Sequence, residues 1–178
     1  IVNSIHQDRN GDMWFGTWAG LSRYDGREFS TITVEGNSIC NHVVTIHEDR
    51  HGDLWVGTWG GVFRRVEQRF TAVFTVREGL ANNQVVSILE DRNGNLWFGT
   101  LSGLTRYDAR QFAYFTEEDG LTDDGVLCLQ ESGDGYLWAG TVGGVCYYDG
   151  ERFTNLDPMR GKHVLTIIRD RQGQVWFG

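Results

Sequence analysis

The sequence predicts an all-β chain folded as a β-propeller of four-stranded antiparallel blades, with about four and a third blades forming an incomplete, open arc. Three observations carry that prediction: a motif repeated at a blade-sized period, four short strand-like runs within each period, and a composition suited to tight turns between aromatic-rich strands. The motif occurs as SIHQDRNGDMWFGT, TIHEDRHGDLWVGT, SILEDRNGNLWFGT, CLQESGDGYLWAGT and TIIRDRQGQVWFG. Its tryptophans, Trp14, Trp55, Trp97, Trp138 and Trp176, recur at intervals of about forty residues, the length of one propeller blade.

The third repeat shows all the strand-like runs in order. A first strand is predicted from Val85 to Leu89, and Asp91, Asn93 and Gly94 turn the chain into a second from Leu96 to Thr100. Gly103 links to a third over Leu104 to Tyr107, and Phe112 to Phe115 supplies the fourth before Gly120 and Leu121 lead onward. The turns have a local cause: Asp and Asn side chains hydrogen-bond nearby backbone, and glycine accepts positive φ. Asp8 with Gly11 and Asp49 with Gly52 repeat the device. Leu96, Trp97 and Phe98 place apolar groups on both faces of the second strand, so each blade needs cover on both sides, and stacked neighbours supply it. A β-helix needs a shorter repeat, and helical solenoids need a 3.6-residue apolar period that is absent here. The reading is one partial propeller domain over residues 1–178, with blades at about 1–42, 43–84, 85–125 and 126–163 and a partial one at 164–178.

The totals agree. The chain has 24 glycines, 7 tryptophans and a single proline, which favours many tight turns and short strands. A formal charge of −8, with Lys162 the only lysine, gives no electrostatic footprint for nucleic acid or anionic lipid. No stretch approaches the roughly eighteen apolar residues of a membrane span, so no membrane contact by this segment is expected. Cys40, Cys128 and Cys146 lack metal-type spacing and read as small buried thiols, with no cofactor and no metal implied. Ile1 at the start and Gly178 in mid-pattern suggest a piece of a longer protein, whose open blade edges are expected to self-associate.

The pattern V-x-x-I-x-x-D-x-x-G-x-L-W-x-G-T-x-x-G-L-x-x-Y-D-G-x-x-F resembles the two-component regulator propeller repeat. Val85, Ile88, Asp91, Gly94, Leu96, Trp97, Gly99, Thr100, Gly103, Leu104, Tyr107, Asp108 and Phe112 match it in the third repeat. The resemblance implies seven-bladed propellers, often two in tandem, in the periplasmic sensor half of hybrid histidine kinases, many of which recognise carbohydrates. It implies a non-enzymatic sensor here, with any kinase activity outside this chain. There are departures. Arg65 and Val66 stand where other repeats have Tyr-Asp, and Ser132 and Gly133 replace Asp-Arg, with Asp134 shifted. The fourth repeat also exits early through Pro158, Met159 and Arg160. The Asp-box of sialidase-type propellers is in a different register, since Asp8 and Asp49 precede their tryptophans by six residues rather than five.

Residues present in every repeat are explained by the fold, so no catalytic residue is assigned. Asp8, Asp49, Asp91 and Asp170 read as turn formers, as do Asp25, Asp108 and Asp149; the W-x-G tryptophans read as core and the glycines as turns. Trp18 and Trp59 differ. They occupy the loop between second and third strands, where other repeats have Leu101 and Val142, and an exposed ring there can stack on a sugar. The connections between blades add Asn41, His42, Asn83, Gln84, Asp124, Lys162 and His163, a mixed donor and acceptor set that suits sugar hydroxyls. His6 and His47 recur on first strands without a third ligand. The leading function is therefore a sensor for a carbohydrate or other small extracytoplasmic ligand. A protein-interaction scaffold is the alternative, followed by a propeller lyase with His42 or His163 as base.

Overall fold

The computed structural model describes residues 1–32, 34, 38–67 and 69–178. The first sheet comprises β1 (Val2–Gln7), β2 (Met13–Thr17), β3 (Gly20–Tyr24) and β4 (Phe29–Ile32), and the second β5 (Val43–Glu48), β6 (Leu54–Thr58), β7 (Gly61–Val66) and β8 (Arg69–Phe74). The third holds β9 (Val85–Glu90), β10 (Leu96–Thr100), β11 (Gly103–Tyr107) and β12 (Phe112–Phe115). The fourth holds β13 (Val126–Glu131), β14 (Leu137–Thr141), β15 (Val145–Tyr148) and β16 (Phe153–Asn155), and β17 (Ile167–Arg169) pairs with β18 (Val175–Phe177). Strands follow chain order within every sheet, as in propeller blades. The chain divides into two compact units, Ile1–Ile88 and Leu89–Gly178, and the division falls inside β9.

In four of the five blades the turn between first and second strands is tied by its aspartate in one way. In the second blade, Asp49 Oδ1 accepts the amides of His51 and Asp53, each at 2.9 Å, and Oδ2 accepts the Trp55 indole N–H at 2.8 Å. Asp8 holds Asn10, Asp12 and Trp14 at 2.9, 3.0 and 2.9 Å, and Asp91 holds Asn93, Asn95 and Trp97 at 2.9 Å each. Asp170 does the same for Gln172, Gln174 and Trp176. The six-residue spacing is thus the reach from a turn carboxylate to an indole on the next strand. The aspartates form turns, as expected, and they also satisfy the one polar atom of each tryptophan. The turn is closed by a glycine at positive φ, between 86° and 97° at Gly11, Gly52, Gly94, Gly135 and Gly173.

The fourth blade departs from this arrangement. Ser132 occupies the aspartate position and hydrogen-bonds Asp134 Oδ1 and the Tyr136 carbonyl, leaving the buried Trp138 indole nitrogen with no hydrogen-bond partner. The double variant S132D/D134N imports the chemistry of the third blade. It should raise stability by about 1–2 kcal/mol, the usual cost of a buried unsatisfied donor. Thermal denaturation should show a rise of a few degrees, and a melting temperature at or below wild type would contradict the assignment.

In the first unit, Trp14, Leu21, Val34 and Val43 pack with Leu54, Val56, Phe63 and Phe70 in one buried cluster. The five residues of β6 are all buried, as a strand covered on both faces requires. Trp14 meets the edge of Phe70 at 5.9 Å, and the Arg65 guanidinium lies 5.0 Å from the Trp14 ring centre. In the second unit the equivalent slot over Trp97 is filled by Tyr148, at 5.7 Å. Arg65 is therefore a blade-packing replacement that exchanges a ring contact for a cation–π contact. Trp97, Leu104 and Leu121 pack there with Val126, Leu129, Leu137, Ala139 and Cys146. Trp14, Trp55 and Trp97 are core, but Trp138 is only partly buried and Trp176 is 56% exposed.

The glycine of W-x-G corrects the sequence reading. Gly57 and Gly140 are strand residues against which the first valine of the following repeat crosses closely. A Cβ on Gly57 would stand 2.8 Å from Val85 Cγ1 and 3.2 Å from the Val85 carbonyl; on Gly140 it would stand 2.9 Å from Val164 Cγ1. Room for the neighbouring blade, rather than turn conformation, requires glycine there.

Candidate functional site

The loop carrying Trp18 and Trp59 is built by the G-T dipeptide before it. Thr17 Oγ1 donates to the Gly20 carbonyl at 2.9 Å and accepts the Ala19 amide at 3.1 Å, and Thr58 does the same with Gly61 and Gly60 at 3.0 and 2.9 Å. Thr100 and Thr141 repeat the pair of bonds. A hydroxyl-locked turn leaves the residue after the threonine at its tip. In the first unit that residue is tryptophan twice.

Trp18 is 53% and Trp59 40% exposed, and His42 stands between them. The imidazole stacks on Trp18 at 5.6 Å and 28°, and meets Trp59 edge-on at 5.0 Å and 69°. Trp18 Nε1 donates to Asn3 Oδ1 at 3.1 Å, while Asn3 Nδ2 donates to the Val43 carbonyl at 2.9 Å. The His42 amide is fixed by the Ile39 carbonyl at 3.1 Å. Three rings from two different loops and one connection thus form an aromatic shelf whose outer surface meets solvent. Neither indole is clamped by a carboxylate as Trp14 and Trp55 are.

The remaining sequence candidates are placed differently. Asn41 Oδ1 accepts the Val34 amide at 3.0 Å, Asn83 Oδ1 the Val76 amide at 2.8 Å and Asp124 Oδ1 the Glu117 amide at 2.8 Å, each across seven residues. This is a recurring staple across the connection, and it uses the acceptor that a ligand would need. The Gln84 amide is held by Asn82 Oδ1 at 2.8 Å. Lys162 and His163 are exposed, the former with its amide on the Met159 carbonyl at 3.2 Å. Asn41, His42, Asn83 and Gln84 belong to the first unit with both shelf tryptophans, whereas Asp124, Lys162 and His163 belong to the second.

Burial pushes the Asp49 carboxyl up, but the Trp55 indole and the amides of Asp53 and His51 outweigh it, so its pKa lies below the ordinary carboxylate value. Asp8 is lowered against burial in the same way by Trp14, Asp12 and Asn10, with Arg65 adding a favourable charge. These are structural anions. The Cys128 thiol, pushed up to about 11 by burial, stays protonated at neutral pH, and burial raises Cys146 too. Among the described residues no group of three or more His, Cys, Asp or Glu side chains could hold a metal ion, and no helix is long and apolar enough to cross a membrane.

The sequence reading assigned no role to the arginine after the turn aspartate. Arg9 donates from its amide to Glu48 Oε2 at 3.1 Å and from its guanidinium to the carbonyls of Arg50 and Asp49 at 2.9 and 2.5 Å. Arg92 treats the fourth blade likewise, reaching Glu131 Oε1 at 3.0 Å and the carbonyls of Ser132 and Gly133 at 2.9 and 3.0 Å. The signal was present in the sequence, where Arg9 and Arg92 are each followed in the next repeat by a glutamate, Glu48 and Glu131, immediately before the aspartate position.

The family model for the two component regulator propeller matches residues 1–19, 37–60, 79–102 and 120–143, just over half of the chain. Among solved structures, the extracellular domain of a hybrid two component system from B. thetaiotaomicron is 25% identical with a TM-score of 0.82, covering 98% of this chain and 26% of that one. The extracellular domain of a one component system from the same organism is 21% identical with a TM-score of 0.85, covering 99% and 28%. The virginiamycin B lyase of Staphylococcus aureus, at 15% identity and a TM-score of 0.78 over 99% of this chain and 62% of the lyase, shares the fold. The chain therefore spans about a quarter of the length of the two B. thetaiotaomicron domains. None of the curated proteins matches it.

Proposed function

The chain belongs to the two-component regulator propeller family, and from that premise we propose that it is a non-enzymatic ligand-sensing module of a bacterial signal-transduction protein, acting in the periplasm or outside the cell and recognising an oligosaccharide on the shelf of Trp18, His42 and Trp59. The shelf is the observation that carries the reading. Two exposed indoles flanking an imidazole offer flat apolar faces to the C–H face of a pyranose, and Asn3 and His42 provide polar atoms beside them. The extracellular domains of two-component and one-component systems that share the fold support the setting.

Replacing Trp18 and Trp59 together by alanine removes the stacking surface without touching a clamped tryptophan. The double variant of the intact protein should lose glycan-array binding by about tenfold or more, corresponding to roughly 1.4 kcal/mol, with its thermal midpoint within a few degrees of wild type. Unchanged glycan binding would remove the shelf from recognition and favour a scaffold that assembles through its blade faces.

A further inference from the structure

The segments that build the shelf of Trp18, His42 and Trp59 share a second property, which is their lack of formal charge. Asn3 and residues 17–20, 39–43 and 58–61 include no Asp, Glu, Lys or Arg, although the chain has 24 Asp and Glu and 16 Lys and Arg. The fold does not impose this. The corresponding connections of the second unit, residues 122–126 and 160–164, carry Asp123 with Asp124 and Arg160 with Lys162.

The shelf is also preorganised. A Cβ on Gly60 would stand 2.5 Å from Cys40 Sγ and 3.2 Å from Cys40 Cα, so the Trp59 loop lies directly on the connection that leads to His42. Asn3 is committed through Oδ1 to the Trp18 indole and through Nδ2 to the Val43 carbonyl, and Asn41 Oδ1 to the Val34 amide. The polar ring atoms of the shelf that remain without a partner among the described residues are the imidazole nitrogens of His42 and the indole N–H of Trp59. A neutral imidazole offers one donor and one acceptor, the complement of a hydroxyl.

We propose that the shelf selects neutral glycans over acidic ones, with the His42 imidazole and the Trp59 indole N–H reading sugar hydroxyls and His42 as the specificity-determining residue. The inference rests on the sugar-sensing reading given above and adds the charge class of the ligand. A carboxylate or sulfate laid against the two indoles meets no Lys or Arg from these segments, and drawing an ionised group out of water without a partner is costly. The formal charge of −8 on the chain adds repulsion. A neutral pyranose meets neither obstacle: its C–H face lies on an indole while its hydroxyls reach the ring nitrogens beside it.

The test is a glycan array carrying neutral, uronate-bearing and sulfated oligosaccharides, read with the intact protein and with its Trp18→Ala/Trp59→Ala double variant, then calorimetric titration of the strongest glycan. Every signal lost in the double variant should come from a neutral glycan, and its Kd should change less than about twofold between low and high salt. His42→Phe keeps a ring in the stack and removes the nitrogens, so it should weaken binding about threefold to tenfold at an unchanged thermal midpoint. His42→Arg sets a guanidinium between the indoles and should raise the ratio of acidic to neutral affinity by about tenfold or more. Acidic glycans that bind wild type as tightly as neutral ones, and do so through the two tryptophans, would overturn the charge class while leaving the sensing shelf in place. A His42→Phe variant that binds as well as wild type would remove His42 as the reader. Binding of no glycan, or binding indifferent to Trp18 and Trp59, would bring down the shelf reading itself and this inference with it.

Discussion

Replacing Asp49 by alanine should destabilise the chain by about 3–5 kcal/mol, because it strands three donors at once, at roughly 1–3 kcal/mol for each that stays buried. Two of these are backbone amides of the turn, and the third is the indole N–H of Trp55, a residue only 4% exposed. Asp49→Asn should fall between wild type and alanine, since its carbonyl can keep the turn while its amide must face the indole donor to donor. The same carboxylate makes stability depend on pH. Its folded pKa is below the unfolded value of about 3.9, so its contribution is fully present above that value and is lost as pH falls through the folded pKa. Urea denaturation as a function of pH should therefore show a steeper acid loss in wild type than in Asp49→Ala. A loss under 1 kcal/mol would mean that the turn finds other acceptors.

Gly57→Ala should cost about 2–3 kcal/mol, the upper part of the range for overpacking a closed core. The added methyl would lie 2.6 Å from Thr45 Cγ2 and 2.8 Å from Val85 Cγ1, with the Val85 carbonyl 3.2 Å behind. A side chain can rotate away, but the strand backbone cannot retreat without parting the packed surfaces. Val85→Ala leaves a cavity of its own, and in combination it makes room for the methyl of Gly57→Ala. The double variant should therefore be more stable than the sum of the single losses, by about 1 kcal/mol in a double-mutant cycle. Strict additivity would show that the two positions do not share the contact.

The blades were legible because their signals are local. In four of the five repeats an aspartate and a glycine set the turn, and the tryptophan that follows at six residues is within reach of the same carboxylate, so spacing alone located strands one and two there. The shelf was legible only in part. The G-T turn put Trp18 and Trp59 at loop tips, but that His42 lies between them depends on where a connection passes, which no local spacing encodes. Asn41, Asn83 and Asp124 illustrate the opposite difficulty. Their side chains look like free ligand acceptors in sequence, and only the fold shows each bound to an amide seven residues earlier. Arg9 and Arg92 were passed over because their partners lie about forty residues away, although the repeat itself held the pairing. Arg65 looked like a loss of the Tyr-Asp pattern and proved to occupy the same packing slot over a tryptophan.

The tryptophans thus serve two purposes: Trp14, Trp55 and Trp97, whose indole N–H groups are held by the turn carboxylates of Asp8, Asp49 and Asp91, are core, whereas Trp18 and Trp59 face solvent. Hydrogen exchange of the indole protons, read by NMR one tryptophan at a time, tests that division most directly. Slow exchange at Trp14, Trp55 and Trp97 with rapid exchange at Trp18 and Trp59 is the expected result. Exchange at Trp55 as fast as at Trp18, or protection of Trp18 and Trp59 equal to that of Trp14, would contradict it.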